Sequence, residues 1–234
     1  AMLRGTARVL SAIRDSLRGK VYFCFQVAEE LGGGAPELVE YLQAQGGVDG
    51  VIGTHIDGGS DAGVIHLPDG PLMAGAHLYE ITVQGSGGHG SRPDKAVDPI
   101  KPACDILLKI AAIPAQYHNP FDTCVVSSCQ IHAGSASNLI PETAVIGGNI
   151  RFFKYGDDEL LLERIRLVTE NTAAAYGTTA TVTHSVGARF PVINDPKMAA
   201  LGREVAQSVG FTFAPPHDPT CGSDNYAEFL AAFP

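Results

Sequence analysis

Residues 21–30, VYFCFQVAEE, run a mostly apolar segment straight into two adjacent carboxylates, Glu29 and Glu30. A short apolar run reads as a buried parallel strand, and residues just past its carboxyl end lie at the rim where α/β proteins bind ligands. The same Glu-Glu pair also suits the first turn of a helix, where acidic side chains complement the dipole. The flanking sequence bears on that choice. After Gly32-Gly33-Gly34 a helix is expected, with Pro36 near its first turn, Leu38, Val39 and Leu42 on its inner side, and Gly46-Gly47 ending it. VDGVIGTH, residues 48–55, then reads as the next strand. Strand, helix, strand is a parallel crossover unit, and it brings Glu29, Glu30 and His55 to one edge. Carboxylate oxygen and imidazole nitrogen from separate elements are donors for hard and borderline cations, although two ligands alone do not make a site.

The chain has 234 residues, enough for one large or two modest domains, with 45% hydrophobic and 18% charged residues. No apolar run approaches the roughly 20 residues that span a bilayer, and the amphipathic first 20 residues do not read as a secretory signal. A net charge of −9 without a basic cluster speaks against nucleic acid or an anionic membrane as partner and leaves small molecules or proteins. The five cysteines are scattered and mostly within apolar segments, which fits a reducing cytoplasm, and Cys124 and Cys129 read as packing residues. Cys124 and Cys129, five apart on an expected strand, point to opposite faces and cannot share a metal.

Outward from the opening stretch, AMLRGTARVLSAIRDSLRG reads as a helix with Leu3, Ala7, Leu10, Ile13 and Leu17 on one face, closed by Gly19. From residue 76 the period changes. HLYEITVQG alternates as a strand, Val97 to Ala111 has helical spacing, and TCVVSSCQI and TAVIGGNIRF are strands separated by the loop AGSASNLIPE. Asp157 is expected to cap a long helix that Gly177 stops before the strand TATVTHSV. The order is βαββαβ, a ferredoxin-like arrangement. Residues 76–187 therefore read as a domain inserted into an α/β domain formed by residues 1–75 and 188–234. Asp195 as N-cap and Pro196 at the first helical position open a further helix ended by Gly210, and PTCGSDNYAEFL leads into a last one.

Within the inserted segment, QGSGGHGSRPDKAVDPI sets His89 among glycines directly after a strand. Glycines let a backbone approach a ligand closely, and an exposed His there can donate to a developing oxyanion. A glycine-rich hairpin carrying a solvated His is the competing reading.

FQVAEE, the GTH at the end of the next strand, GSGGHGSRP with VDPI behind it, SASNLIPE followed by GGNIR, and the late CGSDN occur in one order. Together they resemble the co-catalytic metallopeptidases of the aminoacylase and carboxypeptidase G type. Within these the likeness is greatest to amidohydrolases that cleave N-acyl amino acids, including hippurate and auxin-conjugate hydrolases. The resemblance implies a mostly parallel-sheet metallopeptidase domain, here incomplete, with an inserted lid and dimerisation domain. It implies Glu29 as general base and Glu30 and His55 as ligands to two divalent ions, zinc or manganese. It further implies that His89 reaches the partner subunit's active site of a homodimer, that Asn138 lies near the substrate, and that Arg151 binds the substrate carboxylate, for which its planar fork is suited.

The departures carry weight. The family's Cys-Gly-His-Asp run upstream of the opening helix and a further His near its C-terminus are not in this sequence. Val27 replaces a frequent Pro, and Asp224-Asn225 stands where Glu-Asp is usual. The chain thus reads as truncated at both ends and inactive alone. A peptidase or deacylase of the same fold is the near rival, and a non-catalytic dimerisation protein the rival of a different class. His66, His77, His118, His132, His184 and His217 match no ligand position and read as structural or solvated.

Overall fold

The computed structural model describes residues 2–215 and 218–234; His217 lies outside the described residues. In chain order it contains α1 (Met2–Ala12), α2 (Ala35–Ala44), β1 (Val64–Ile65), β2 (Gly70–Met73), β3 (Gly75–Gln84) and β4 (Gly88–His89). There follow α3 (Ile100–Ile110), α4 (Ile113–Tyr117), β5 (Cys124–Ala133), β6 (Leu139–Ile140), β7 (Thr143–Phe152), α5 (Asp157–Ala175) and β8 (Thr179–Ala188). The remainder comprises β9 (Val192–Asn194), α6 (Pro196–Ser208), β10 (Thr212–Phe213) and α7 (Ala227–Ala232).

The largest sheet has four antiparallel strands in the order β5-β7-β3-β8. Its strands form because apolar residues recur every second position. On β3, His77, Tyr79, Ile81 and Val83 are buried while Leu78, Glu80 and Gln84 are exposed. On β7, Ala144, Ile146, Ile150 and Phe152 face the same way. Ala103, Ile106 and Ile110 of α3 and Leu161, Ile165 and Ala173 of α5 cover that face and complete one core. Gly148 is required within it: a Cβ there would lie 2.3 Å from the Tyr79 ring, whose hydroxyl bonds Ser128 Oγ at 2.9 Å. Between Ser128 and Gln130 the register of β5 against β7 slips, as a bulge at Cys129 would produce. Cys124 consequently packs on the core, whereas Cys129 is exposed and is not the packing residue expected of it.

The rest of the chain departs further from expectation. Residues 21–26 and 48–55 form no strands, so the expected parallel crossover unit is absent from the described residues. The sole parallel ladder among the described residues is the two-residue pairing of β1 with β10, and β2 pairs antiparallel with β9. Apolar runs report burial, but a strand needs a hydrogen-bonding partner as well. Here Tyr22, Cys24, Val48 and Val51 pack by their side chains on a second core of Ala35, Leu42, Phe229 and Phe233. The opening helix stops at Ala12 and buries none of its residues, rather than running to Gly19. Gly156, not Asp157, is the N-cap of α5; Asp157 instead accepts from His118 Nε2 at 2.9 Å. Asp195 caps α6 as read, accepting the amides of Lys197 and Met198. No helix among the described residues is long and apolar enough to cross a membrane.

Candidate active site

Glu29 and Glu30 lie on a single 3-10 turn, residues 29–31, the helical first turn that was the other reading of this pair. Ala28 enters it at φ 56°, the only non-glycine among the described residues in the left-handed region. Such a conformation costs of order 1 kcal/mol or more, so the surroundings must hold it. The Gly32 and Gly33 amides bond the carbonyls of Glu29 (2.8 Å) and Ala28 (2.9 Å), and Gly34, at φ 84°, would place a Cβ 2.3 Å from the Val27 carbonyl. Both carboxylates open onto a cleft of about 360 Å³ that Gly187, Ala188, Ser223 and Asn225 also line.

Asn225, almost fully buried, ties this turn to the segment before α7. Its Oδ1 accepts from Gln26 Nε2 at 2.6 Å, and its Nδ2 donates to the Gly33 carbonyl at 3.1 Å. Gln26 Nε2 donates to that same carbonyl at 2.8 Å. Burial, then the negative charges of Asp224 and Glu30, push the Glu29 carboxyl above its ordinary value, against the Asn225 amide and His55, which favour its ionised form. Four ionisable or donor groups thus act on Glu29 at this edge. The His55 ring Nδ1 is 2.7 Å from the Ile56 carbonyl, which can only accept, so Nδ1 carries a proton, and in the neutral ring it is Nε2 that offers a lone pair. Glu30 and His55 are therefore donors of the right types for a divalent cation, but no group of three His, Cys, Asp or Glu converges to hold one among the described residues. The donor types fit; their number does not complete a site.

Arg151 stands at the same end of the sheet, paired across from Ala76. Its Nε donates to the Cys221 carbonyl at 3.2 Å and one terminal nitrogen to the Ile150 carbonyl at 2.9 Å, so part of its fork is spent on backbone. His89 and Asn138 lie elsewhere. The pairing of β4 with β6 sets His89 opposite Leu139, and the Gly90 amide donates to the Asn138 carbonyl at 2.8 Å. His89 lines a more open cleft of about 840 Å³ that His132 and Glu142 share, and Leu139, next to Asn138 in the chain, lines it too. The strand β3 separates the two regions. Ala76 pairs with Ala188 at the acidic end and Gln84 with Thr143 at the other, and eight residues at about 3.4 Å each amount to roughly 27 Å.

Reading the sequence missed Gln26, Asp224 and Asn225 as contributors. The signal was present, since FQVAEE and CGSDN both entered the resemblance, but nothing in either motif says that one grips the other.

The pattern of "Peptidase family M20/M25/M40" matches residues 1–234, the whole chain. The chain belongs to this family. It is 33% identical over 234 residues to the N-acetyl-L-cysteine deacetylase of Bacillus subtilis, covering 100% of this chain and 56% of that protein. Over 207 residues it is 35% identical to the N-acyl-L-amino acid amidohydrolase of Geobacillus stearothermophilus, covering 86% of this chain and 55% of the relative. The crystal structure of the Bacillus subtilis YXEP protein, described as a dinuclear metal binding peptidase from the M20 family, superimposes with a TM-score of 0.79 at 29% identity. That match covers 98% of this chain and 58% of the other. This M20-family chain therefore spans a little over half the length of these three relatives.

Proposed function

We propose that this chain carries the base-bearing part of a metal-dependent amidohydrolase acting on N-acyl amino acids. The observation that carries the reading is the acidic turn: Glu29, lifted above its ordinary value by burial and by Asp224 and Glu30, opens onto a cleft beside a second carboxylate. A base that takes a proton from water and passes it to a departing amine works best when its pKa is raised toward neutrality. Glu29 has that role, and Glu30 with His55 Nε2 supplies donors for two divalent ions, zinc or manganese. Such ions, when bound, polarise an amide carbonyl and acidify water. Glu29 stays uncoordinated so that it can carry the proton. Arg151 offers the nitrogens not held by backbone to the substrate carboxylate.

Residues 76–187 act as a ferredoxin-like lid and dimerisation domain. The strand order and the separation of roughly 27 Å along β3 support this. Across that span, His89 and Asn138 cannot reach a substrate bound beside Glu29 of their own chain, and in a homodimer they serve the partner's. Because the donor set is short among the described residues, the chain by itself is inactive.

The test is Glu29→Gln in a metal-loaded protein spanning the length of its relatives: metal content stays at the wild-type level and turnover falls by about 100-fold or more. An unchanged rate removes Glu29 as base, and hydrolysis by the isolated 234-residue chain overturns its inactivity.

A further inference from the structure

We propose that Ser91 is a positioning residue that fixes His89 in its Nε2–H tautomer, so that the ring presents a hydrogen-bond donor to the cleft. The argument begins with the backbone. The Arg92 amide bonds the His89 carbonyl at 2.8 Å, closing a turn over His89-Gly90-Ser91-Arg92, and the Gly90 amide is anchored on Asn138. Within this turn the His89 ring folds back, and its Nδ1 lies 3.2 Å from the Ser91 amide nitrogen and 2.8 Å from Ser91 Oγ. A backbone N–H can only donate. Nδ1 must therefore offer its lone pair, and a neutral imidazole with an acceptor at Nδ1 carries its one proton on Nε2. The Ser91 hydroxyl, free to rotate, adds a second donor to the same lone pair.

The consequence is chemical. Nε2–H can donate to a carbonyl oxygen and strengthen that bond as negative charge develops, whereas the opposite tautomer would present a lone pair to the same oxygen. The use of this donor toward an amide rests on the function proposed above; the tautomer itself rests only on the turn. Ser91 touches no substrate in this scheme and acts through His89 alone.

The test is the tautomer of His89, read from its ring ¹⁵N shifts in the intact, metal-free chain at pH 8.5, alkaline of the ordinary imidazole pKa of about 6.5. Native protein is expected to show protonated Nε2, unprotonated Nδ1, and a coupling across the hydrogen bond between the Ser91 amide and Nδ1. Ser91→Ala retains the amide and shifts the tautomer ratio modestly. Ser91→Pro removes both donors and raises the ratio of Nδ1–H to Nε2–H by about 5- to 150-fold, the equivalent of two lost hydrogen bonds. His132, in the same cleft, serves as the internal reference and stays unchanged. Nδ1–H as the native form, or absence of the cross-bond coupling, overturns the proposal; the coupling needs only native protein and so does not depend on the proline variant folding. Because the tautomer and the coupling are read without turnover, failure of the amidohydrolase reading leaves these outcomes untouched. If the tautomer holds while Ser91→Pro does not lower kcat in an active, metal-loaded protein, the amide-donor role fails and the tautomer assignment stands.

Discussion

Asn225→Ala should loosen the acidic turn without disturbing the main sheet. The side chain makes two hydrogen bonds, accepting from Gln26 at 2.6 Å and donating to the Gly33 carbonyl at 3.1 Å. A neutral hydrogen bond contributes about 0.5–1.5 kcal/mol net, so the pair is worth about 1–3 kcal/mol toward keeping the turn closed. That energy belongs to a local opening, because the turn sits apart from the core under β3 and β7. The reporter is the Gly33 amide, bonded to the Ala28 carbonyl at 2.9 Å. Native-state hydrogen exchange there should accelerate by about 5- to 150-fold, while the amide of Ile81 in the sheet keeps its rate. Gln26→Ala should act on the same reporter. Since Gln26 and Asn225 bond each other as well as Gly33, the double variant should cost less than the sum of the singles. A change at Gly33 of less than about twofold in Asn225→Ala, or full additivity with Gln26→Ala, would refute the clamp.

Acid stability should depend on His77, which burial holds below the ordinary imidazole value; Asp158 at 3.7 Å and the Arg189 backbone oppose that shift, while the charges of His184 and Arg189 reinforce it. The unfolded chain then takes up the proton first, so the contribution is full above about pH 6.5 and is lost as the pH falls through that value toward the lower folded one. Urea midpoints of His77→Phe should vary less with pH across this window than those of the native chain; equal slopes would exclude His77 as the titrating group. Gly148→Ala should destabilise the sheet by at least about 1–3 kcal/mol by forcing a methyl against Tyr79, and an unchanged thermal midpoint would contradict the close approach. Asp195→Ala should cost about 1 kcal/mol through the lost cap of α6, measured by denaturant unfolding, with a loss under about 0.3 kcal/mol arguing against it.

The parts of the fold legible in the sequence are those whose causes are local. The strand at 143–152 alternates with period two, and the helix beginning at Pro196 announces itself by a cap and a proline. The segments at 21–26 and 48–55 were misread because an apolar run measures how much of it is buried and says nothing of which backbone it pairs with. At the site, the two carboxylates could be singled out only by the motifs around them, since the strand end on which they were expected does not form. The grip on them could not, since Gln26 and Asn225 are 199 positions apart and meet only in the folded chain. The His89–Ser91 contact spans two residues, yet its meaning depends on a turn that brings an amide onto one ring nitrogen.

The stretches that failed to become strands also govern how this chain behaves in bulk. Val21, Phe25, Val27, Ile52 and Ile56 are each more than half exposed on backbone that enters no ladder among the described residues. A row of unpaired amides and carbonyls beside apolar side chains is a template for adding another strand. A lysine in place of Val27 or Ile52 should raise the concentration at which the protein begins to associate, while leaving its melting temperature where it was.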